Sequence, residues 1–219
     1  MPDPQNAELR RAYEHFGDLR GRTLVDVGSG RGASSLFFAS KGAHVISVDQ
    51  SAVATRNLAE YCQRQEITNI HPVQLSAFEL SRVGPVDFVF GAMILHHLEP
   101  FARFARELRA TVRPGGKAFF FENNARSSLM IWFRQHLVGK LWVPKYGDPD
   151  EFPLTPGEVD ELRRHFPVRV EIPELLMFRK ISLYLLRNHV RAPFAWADRV
   201  GYRFGWLRKY SYHQYLCLG

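Results

Sequence analysis

The sequence predicts an α/β protein: a seven-stranded, mostly parallel sheet with helices on both faces. Short apolar runs alternate with amphipathic stretches of about 10 to 15 residues, which is the pattern of parallel strands joined by helices. Glycines cluster at residues 28–32, between the first apolar run and the helix that follows it. With 219 residues and 46% hydrophobic content, the chain is large enough to bury one α/β core.

Each element is predicted from its periodicity and from the turn and capping residues at its ends. Ser51 caps the third helix, and the run TPGE at residues 155–158 is a capping box that opens a later one. Strands are expected at residues 24–27, 44–48, 71–75, 86–90, 118–121, 168–172 and 210–218. Helices are expected at residues 7–19, 33–43, 52–65, 101–112, 127–142, 156–165, 175–190 and, less regularly, 195–209.

The most informative stretch is TLVDVGSGRG at residues 23–32, together with Asp49. Gly28, Gly30 and Gly32 let the backbone turn sharply and approach a ligand where a Cβ atom would collide. The turn lies at the start of a helix, where unpaired backbone N–H groups can face a ligand. An acid that ends the second strand can accept hydrogen bonds from both hydroxyls of a ribose. The motif therefore predicts a nucleoside-containing cofactor.

Three further features accompany this motif: Asp26 before the glycines, the run GAMILHHLEP at residues 91–100, and the turn RPGGK at residues 113–117. With them, residues 19–123 resemble the class I S-adenosylmethionine-dependent methyltransferases, which have a Rossmann-like fold. The resemblance implies that Asp26 and the glycine loop hold the methionine end of the cofactor and that Asp49 holds its ribose. The cofactor-binding residues it implies are Asp26, Gly28, Ser29, Gly30, Asp49, Gln50, Ser76, Ala77, Gly91 and Met93.

One position departs from the family pattern. Many members have an acid after the third strand that meets the adenine amine, whereas this chain has Ser76 and Ala77 there, with Glu79 nearby. A hydroxyl bonds more weakly than a carboxylate. A non-catalytic partner subunit that binds cofactor or membrane is therefore the alternative function. A nicotinamide-dependent oxidoreductase is disfavoured, because the glycine spacing differs from the dinucleotide fingerprint.

Methyl transfer to a hydroxyl needs a base, and four residues are candidates: His96, His97, Glu122 and His213, in falling order. Each also has a structural interpretation. The histidines can brace the next helix, and Glu122 can cap or pair at the end of the fifth strand. The expected mechanism is direct, in-line transfer in a dry cleft, for which no metal is required. For an amine or a stabilised carbon as acceptor, desolvation without a base is the alternative.

Composition places the chain in a reducing environment. Its two cysteines, Cys62 and Cys217, provide no disulfide framework and have no metal-ligand spacing. The polar stretch at residues 1–9 does not resemble a signal peptide, and the sequence has no run of 18 apolar residues. We therefore expect a cytoplasmic protein, with possible peripheral contact at the inner membrane face.

The excess positive charge lies near the C-terminus. Residues 175–219 contain eight Lys or Arg, ten aromatic residues and a single acid, Asp198. Such a composition suits a hydrophobic pocket cap, an anionic membrane surface or a nucleic-acid strand, and no nucleic-acid module favours the last. The acceptor is therefore expected to be a small, hydrophobic or lipid-linked molecule.

These expectations divide a single methyltransferase domain into five segments. Residues 1–20 form a cap helix in which Tyr13 either lines the cofactor cleft or packs in the core, and residues 21–123 form the cofactor-binding core. Residues 124–150 and 175–209 are helical insertions, and residues 210–219 provide the last strand. The oligomeric state is not predicted.

Overall fold

The computed structural model describes residues 7–126, 153–186 and 191–219. The strands are β1 (Thr23–Val27), β2 (His44–Asp49), β3 (Ile70–Gln74), β4 (Val86–Ala92), β5 (Val112–Asn123), β6 (Val168–Glu171) and β7 (His213–Leu218). The helices are α1 (Ala7–Phe16), α2 (Ala33–Ser40), α3 (Ala52–Arg64), α4 (Phe101–Thr111), α5 (Pro156–Arg163), α6 (Phe178–Leu185), α7 (Ala192–Gly201) and α8 (Gly205–Arg208). Two 3-10 helices, Ala77–Val83 and Leu95–His97, follow β3 and β4.

The seven strands form one sheet in the order β3-β2-β1-β4-β5-β7-β6. The first five strands pair in parallel, and β7 runs antiparallel to both β5 and β6. The strand order reverses between β1 and β4, so the connections leave these two strands on opposite sides. In open sheets of this kind, the crevice at the carboxyl ends of such a strand pair is where ligands bind.

Both faces of the sheet are covered, as the sequence predicts. One core cluster packs α1, α2 and α3 against the sheet, with Phe38, Phe90 and Phe119 fully buried. The other packs α4 and α5 against the opposite face, around Phe104 and Phe120. Burial of this much aromatic surface on both sides fixes the strands, and it fixes the loops at their carboxyl ends.

The predicted caps form as expected. The Ser51 hydroxyl accepts a hydrogen bond from the Ala54 backbone N–H at the start of α3. At the start of α5, Thr155 and Glu158 make the reciprocal pair of hydrogen bonds of a capping box. These side chains satisfy N–H groups that the first helical turn would otherwise leave without a partner.

Several predicted boundaries are wrong by a few residues, each for a local reason. Helix α1 ends at Phe16 rather than residue 19, because Gly17 adopts φ +88° and its N–H bonds back to Tyr13. Helix α2 ends at Ser40, before Gly42 at φ +91°. Strand β5 begins at Val112 rather than residue 118. Residues 113–116 of the predicted turn form a bulge in this strand, between Val112 and Lys117, which both pair with β4.

The C-terminal boundaries also differ from the prediction. Strand β7 begins at His213 rather than residue 210, because residues 210–212 close the turn after α8. The irregular helix predicted at residues 195–209 is two helices, α7 and α8, and the one predicted at residues 175–190 begins at Phe178. The predicted helix at residues 127–142 lies outside the described residues.

Helices α6, α7 and α8 form a helical insertion between β6 and β7. The buried carboxylate of Asp198 in α7 accepts hydrogen bonds from the backbone N–H groups of Met177, Phe178 and Arg179, and from the Arg179 Nε. One carboxylate thus caps α6 from the neighbouring helix. No helix in the described part of the chain is long and apolar enough to cross a membrane.

Candidate functional site

The glycine loop lies where β1 ends and α2 begins. Gly28, Gly30 and Gly32 have φ values of +69°, +52° and +78°, which L-residues with a Cβ atom rarely adopt. A Cβ atom on Gly28 would lie 2.8 Å from the Ile94 side chain, and one on Gly32 would lie 2.5 Å from Leu58. Above Gly30 nothing lies within 4 Å of a Cβ position. The loop is therefore packed against side chains at Gly28 and Gly32 and is open at its crest, Gly30.

Asp49 at the end of β2 faces this loop. Its Oδ2 accepts a hydrogen bond of 2.8 Å from the Gly30 N–H, and its Oδ1 accepts one of 2.8 Å from the Ser51 N–H. A carboxylate has about four acceptor sites. Two therefore remain, on a half-buried side chain beside the open crest of the loop, which is the arrangement that a pair of ribose hydroxyls requires.

Asp26 is buried beneath the loop. Its Oδ2 accepts hydrogen bonds of 2.6 Å from the hydroxyls of both Ser34 and Ser35 in the first turn of α2. The Ser35 hydroxyl also lies 3.0 Å from that of Ser47 on β2. Burial raises the pKa of Asp26 to about 6, against the opposing effect of the two serine hydroxyls and with a smaller contribution from the charge of Asp49. The chain thus keeps a carboxyl group at a position that disfavours its charge.

The loop after β4 is held tightly against the glycine loop. A Cβ atom on Gly91 would lie 2.8 Å from the Phe120 ring and 2.9 Å from Ile94. Met93 adopts φ +54°, a strained value for a residue with a side chain, and its N–H bonds to the Phe121 carbonyl oxygen at 2.8 Å. The Ile94 side chain therefore lies against the positions of both Gly28 and Gly91 and joins the two loops.

Glu122 fixes this second loop from β5. Its side chain is fully buried, and Oε1 accepts hydrogen bonds from the backbone N–H groups of Ile94 at 2.7 Å and Leu95 at 2.6 Å. Oε2 lies 2.7 Å from Nδ1 of His96, whose side chain is 2% exposed. The His97 ring lies next to that of His96, with the ring centroids 4.1 Å apart. The three catalytic candidates named first thus form one connected cluster.

The other predicted residues lie around this centre in different roles. Gln50 is exposed beside Asp49, and Ser29 follows Gly28, with its N–H bonded to the Val48 carbonyl oxygen. Ser76 caps the 3-10 helix that begins at Ala77, since its hydroxyl accepts a hydrogen bond from the Phe78 N–H. These residues follow the carboxyl ends of β1, β2 and β3.

Three further candidates lie away from the glycine loop. Glu79 pairs with Arg82, and Tyr13 packs against the core cluster that lies under α1 and α2. His213 pairs across the sheet with Asn123, and burial, with smaller effects of Lys180 and Arg179, lowers its pKa to about 4.

Sequence reasoning missed Ile94, Ser34 and Ser35. Ile94 belongs to an apolar run that does not by itself indicate which loop it touches. The two serines in the run ASSL at the helix start are a detectable signal, because each hydroxyl can donate a hydrogen bond to a nearby carboxylate such as Asp26. Among residues 7–126, 153–186 and 191–219, no group of three His, Cys, Asp or Glu residues could hold a metal ion.

Comparison with known proteins agrees with this geometry. Residues 24–116 match a family model described as a methyltransferase domain. A ubiquinone biosynthesis O-methyltransferase of Paraburkholderia xenovorans is 31% identical over 167 residues, which are 75% of this chain and 72% of that protein. The corresponding protein of Acinetobacter baylyi is 28% identical over 150 residues, and the match spans 63% of its length, less than two thirds.

The solved structures agree in fold. The crystal structure of a SAM-dependent methyltransferase from Aquifex aeolicus superposes with a TM-score of 0.58 at 17% identity, over 99% of this chain and 93% of that one. The sheet order and the helices on both faces define a Rossmann-like α/β protein. The chain belongs to the class I S-adenosylmethionine-dependent methyltransferases, and the cofactor of that family is S-adenosylmethionine.

Proposed function

We propose that this chain transfers a methyl group from S-adenosylmethionine to a hydroxyl of a small, hydrophobic or lipid-linked acceptor. The observation that carries the proposal is the contact between Asp49 and Gly30 at the open crest of the glycine loop. It combines a backbone that a ligand can approach closely with a carboxylate that has acceptor sites left. The family resemblance and the curated O-methyltransferase relatives support the same reaction.

The residues of the cradle fit the cofactor in chemistry and in space. Asp49 would hold the ribose hydroxyls, and Gly28, Ser29 and Gly30 would follow the methionine end, with Asp26 beneath them. Ser76 and Ala77 would border the adenine, beside Gln50. Gly91 and Met93 would line the side that faces the acceptor. The bound cofactor supplies a methyl group already activated by its sulfonium, so the protein's main work is alignment and exclusion of water.

A base is needed for a hydroxyl acceptor, and the cluster at Glu122 offers one. Because Glu122 Oε2 accepts from Nδ1 of His96, the proton lies on Nδ1 and the lone pair on Nε2. Glu122 would then position His96, which would take the acceptor's proton at Nε2, and His97 beside it is the second candidate. General-base catalysis of this kind is worth about 10²- to 10⁴-fold in rate.

The helical insertion supports an apolar acceptor that reaches the site from a membrane. Trp196, Phe204 and Trp206 are 64%, 51% and 65% exposed. Arg199 and Arg203 accompany them, and the one acid of the segment, Asp198, is buried. Aromatic side chains with cations and no exposed acid suit an anionic bilayer surface.

Cofactor binding is tested by titration calorimetry with S-adenosylhomocysteine. We expect wild type to bind at micromolar concentration and Asp49→Ala to bind at least tenfold more weakly. Asp18→Ala is the matched control, because Asp18 is an exposed acid that pairs with the exposed Arg20. Absence of any binding heat in wild type would refute the cofactor assignment.

Catalysis is tested with a catechol- or phenol-bearing prenylated quinone precursor as acceptor. We expect His96→Asn to lower kcat by 10²-fold or more while S-adenosylhomocysteine affinity is retained. An unchanged kcat would exclude His96 as the base, and the same test on His97→Asn would then identify or exclude the second candidate. Turnover by wild type that Asp26→Ala abolishes would exclude the non-catalytic alternative.

The membrane contact is tested by co-sedimentation with vesicles of phosphatidylglycerol and phosphatidylcholine. We expect binding that decreases with salt, and that decreases further in Trp196→Ser with Trp206→Ser. Tyr61→Ser is the matched control, because Tyr61 is an exposed aromatic residue on α3. Equal sedimentation of the two variants would contradict a role for the tryptophans.

A further inference from the structure

A cleft of 240 Å³ lies on the half of the sheet away from the glycine loop. Its floor is apolar and is formed by Leu154, Val159, Val170 and Ile172, from the start and body of α5 and from the end of β6. The buried side chain of Gln214 on β7 also lines it. None of the steps proposed for methyl transfer uses this cleft.

The rim of the cleft is cationic. Arg126 follows β5, and Arg208 and Lys209 end α8 on the other side. Among the described residues that line the cleft, none is Asp or Glu. In the described part of the chain, none of the three cations has a carboxylate partner. Arg208 donates from Nε to the Tyr202 carbonyl oxygen, and the Lys209 ammonium lies 5.0 Å from the centre of the Tyr210 ring.

This arrangement differs from that of Arg179 in the insertion and of Arg11 on α1. Arg179 is neutralised by Asp198 and Glu174, and Arg11 by Glu171. Three cations that converge on one concave surface without an acid leave a positive potential that an anion would neutralise. Guanidinium groups in particular offer paired donors to the two oxygens of a carboxylate or phosphate.

The size of the cleft limits what enters it. At about 30 Å³ for each water molecule, 240 Å³ corresponds to about eight waters, which accommodates an anionic group and a few carbon atoms. The rest of a larger ligand would extend along the open edge of the sheet. Strand β7, which carries Gln214, lies three strands from β1, which is about 14 Å across the sheet at about 4.8 Å for each strand.

We propose that this cleft binds the anionic end of an amphiphile, a carboxylate or phosphate attached to an apolar chain, through Arg126, Arg208 and Lys209. The apolar floor receives the first carbon atoms of the chain. The site is distinct from the cofactor cradle, and binding here does not depend on methyl transfer. The same chemistry is available from a free amphiphile in water and from a lipid headgroup in a bilayer.

The first test is calorimetric, with dodecyl phosphate below its critical micelle concentration as probe. We expect saturable, one-to-one binding, at least tenfold weaker binding of inorganic phosphate, and no binding of dodecyltrimethylammonium. Higher salt should weaken the binding, because the rim is exposed to solvent. Equal binding of the phosphate and ammonium amphiphiles would overturn the proposal, since an apolar surface alone would then explain it.

The second test places an acid in the cleft without disturbing the fold. Gly205 lines the rim, and nothing lies within 4 Å of a Cβ atom built on it. We expect Gly205→Glu to weaken dodecyl phosphate binding at least tenfold and Gly205→Gln to leave it within twofold. Arg208→Gln should also weaken binding, by about three- to tenfold, whereas Arg203→Gln, an exposed cation outside the cleft, should not. Equal affinity of the Glu and Gln variants at residue 205 would overturn the proposal.

Sedimentation with vesicles distinguishes the two sources of the ligand, a free amphiphile and a lipid headgroup. Because Gly205 lies between Phe204 and Trp206 of the proposed membrane surface, the vesicle test uses Arg126→Gln. If this variant loses dodecyl phosphate but sediments with phosphatidylglycerol vesicles as wild type does, the ligand is a free amphiphile. If the variant loses both, the ligand is a lipid headgroup. If it loses neither, the cleft does not bind anions. Unchanged S-adenosylhomocysteine affinity in each variant separates these results from a failure of the proposed methyl transfer or of folding.

Discussion

Removal of the Glu122 carboxylate should destabilise the protein far more than removal of an ordinary surface acid. Glu122 is fully buried and accepts three hydrogen bonds, from the N–H groups of Ile94 and Leu95 and from the His96 imidazole. Glu122→Leu preserves much of the volume but leaves three buried donors without an acceptor. At about 1–2 kcal/mol for each donor, the loss is about 3–6 kcal/mol, a large fraction of the roughly 5–15 kcal/mol that stabilises a domain.

Glu122→Gln removes the charge of this side chain but keeps its shape. The amide oxygen can still accept from Ile94 and Leu95, so the cost is about 2 kcal/mol, from the lost charge assistance to two bonds. The amide NH₂ group then faces His96 Nδ1, which must become an acceptor and move its proton to Nε2. Stability should therefore be largely retained while kcat falls, by up to about 10⁴-fold if His96 is the base.

The assay is urea unfolding followed by far-ultraviolet circular dichroism at pH 7.5 and 25 °C. Glu60→Gln, an exposed acid on α3, is the control and should change the unfolding free energy by less than about 0.5 kcal/mol. The loop that holds Ile94 should also loosen in Glu122→Leu, which would weaken S-adenosylhomocysteine binding. An unfolding free energy for Glu122→Leu within 1 kcal/mol of wild type would refute the reasoning, because three buried donors cannot be left unpaired so cheaply.

Three other predictions concern pH and the glycines. The pKa of Asp26 is raised from 3.8 to about 6, so the protonated carboxyl group contributes folding stability below pH 3.8, and this stability is lost as the pH rises through 6. Asp26→Asn should therefore raise the unfolding free energy at pH 7.5 by about 2–3 kcal/mol and weaken cofactor binding. The pKa of His213 is lowered from 6.5 to about 4, so the neutral imidazole contributes folding stability above pH 6.5, and this stability is lost as the pH falls to 4. His213→Asn should reduce the change in unfolding free energy over that pH range by about 2 kcal/mol, measured by urea unfolding at a series of pH values. Gly28→Ala should lower the unfolding free energy by about 2–4 kcal/mol, because of its left-handed φ and a clash with Ile94. Gly17→Ala, at φ +88° in open space, should lower it by about 1 kcal/mol. Equal losses for the two variants in thermal unfolding would contradict the role given to Ile94.

The sequence predicted the sheet and its two covered faces well, because the strands are short apolar runs and the helices have one apolar side. It located the cofactor loop for a different reason. Gly28 and Gly30 need backbone conformations that few other residues adopt, and Asp49 ends β2, the strand that pairs with β1. Local chemistry of this kind is visible in a single chain.

Other features depend on contacts between distant segments and could not be predicted. Nothing in the run around residue 122 indicates that Glu122 holds two N–H groups and an imidazole from a loop 26 to 28 residues earlier. The start of α6 at Phe178 rather than residue 175 likewise follows from Asp198, which accepts hydrogen bonds from the backbone N–H groups of Met177, Phe178 and Arg179. Helical periodicity is unchanged by such bonds, so the pattern overestimated the helix lengths.

The capping of α6 by Asp198 has a consequence for how new specificity could arise. Asp198 bonds α7 to the start of α6, Gly201 of α7 lies close to the Phe178 side chain, and the insertion is connected to the sheet at the ends of β6 and β7. A segment with such self-contained anchoring can be exchanged for another without altering the residues that border the glycine loop. Grafting residues 174–210 from a relative onto this sheet should therefore transfer the choice of acceptor and leave the recipient's nucleoside affinity intact.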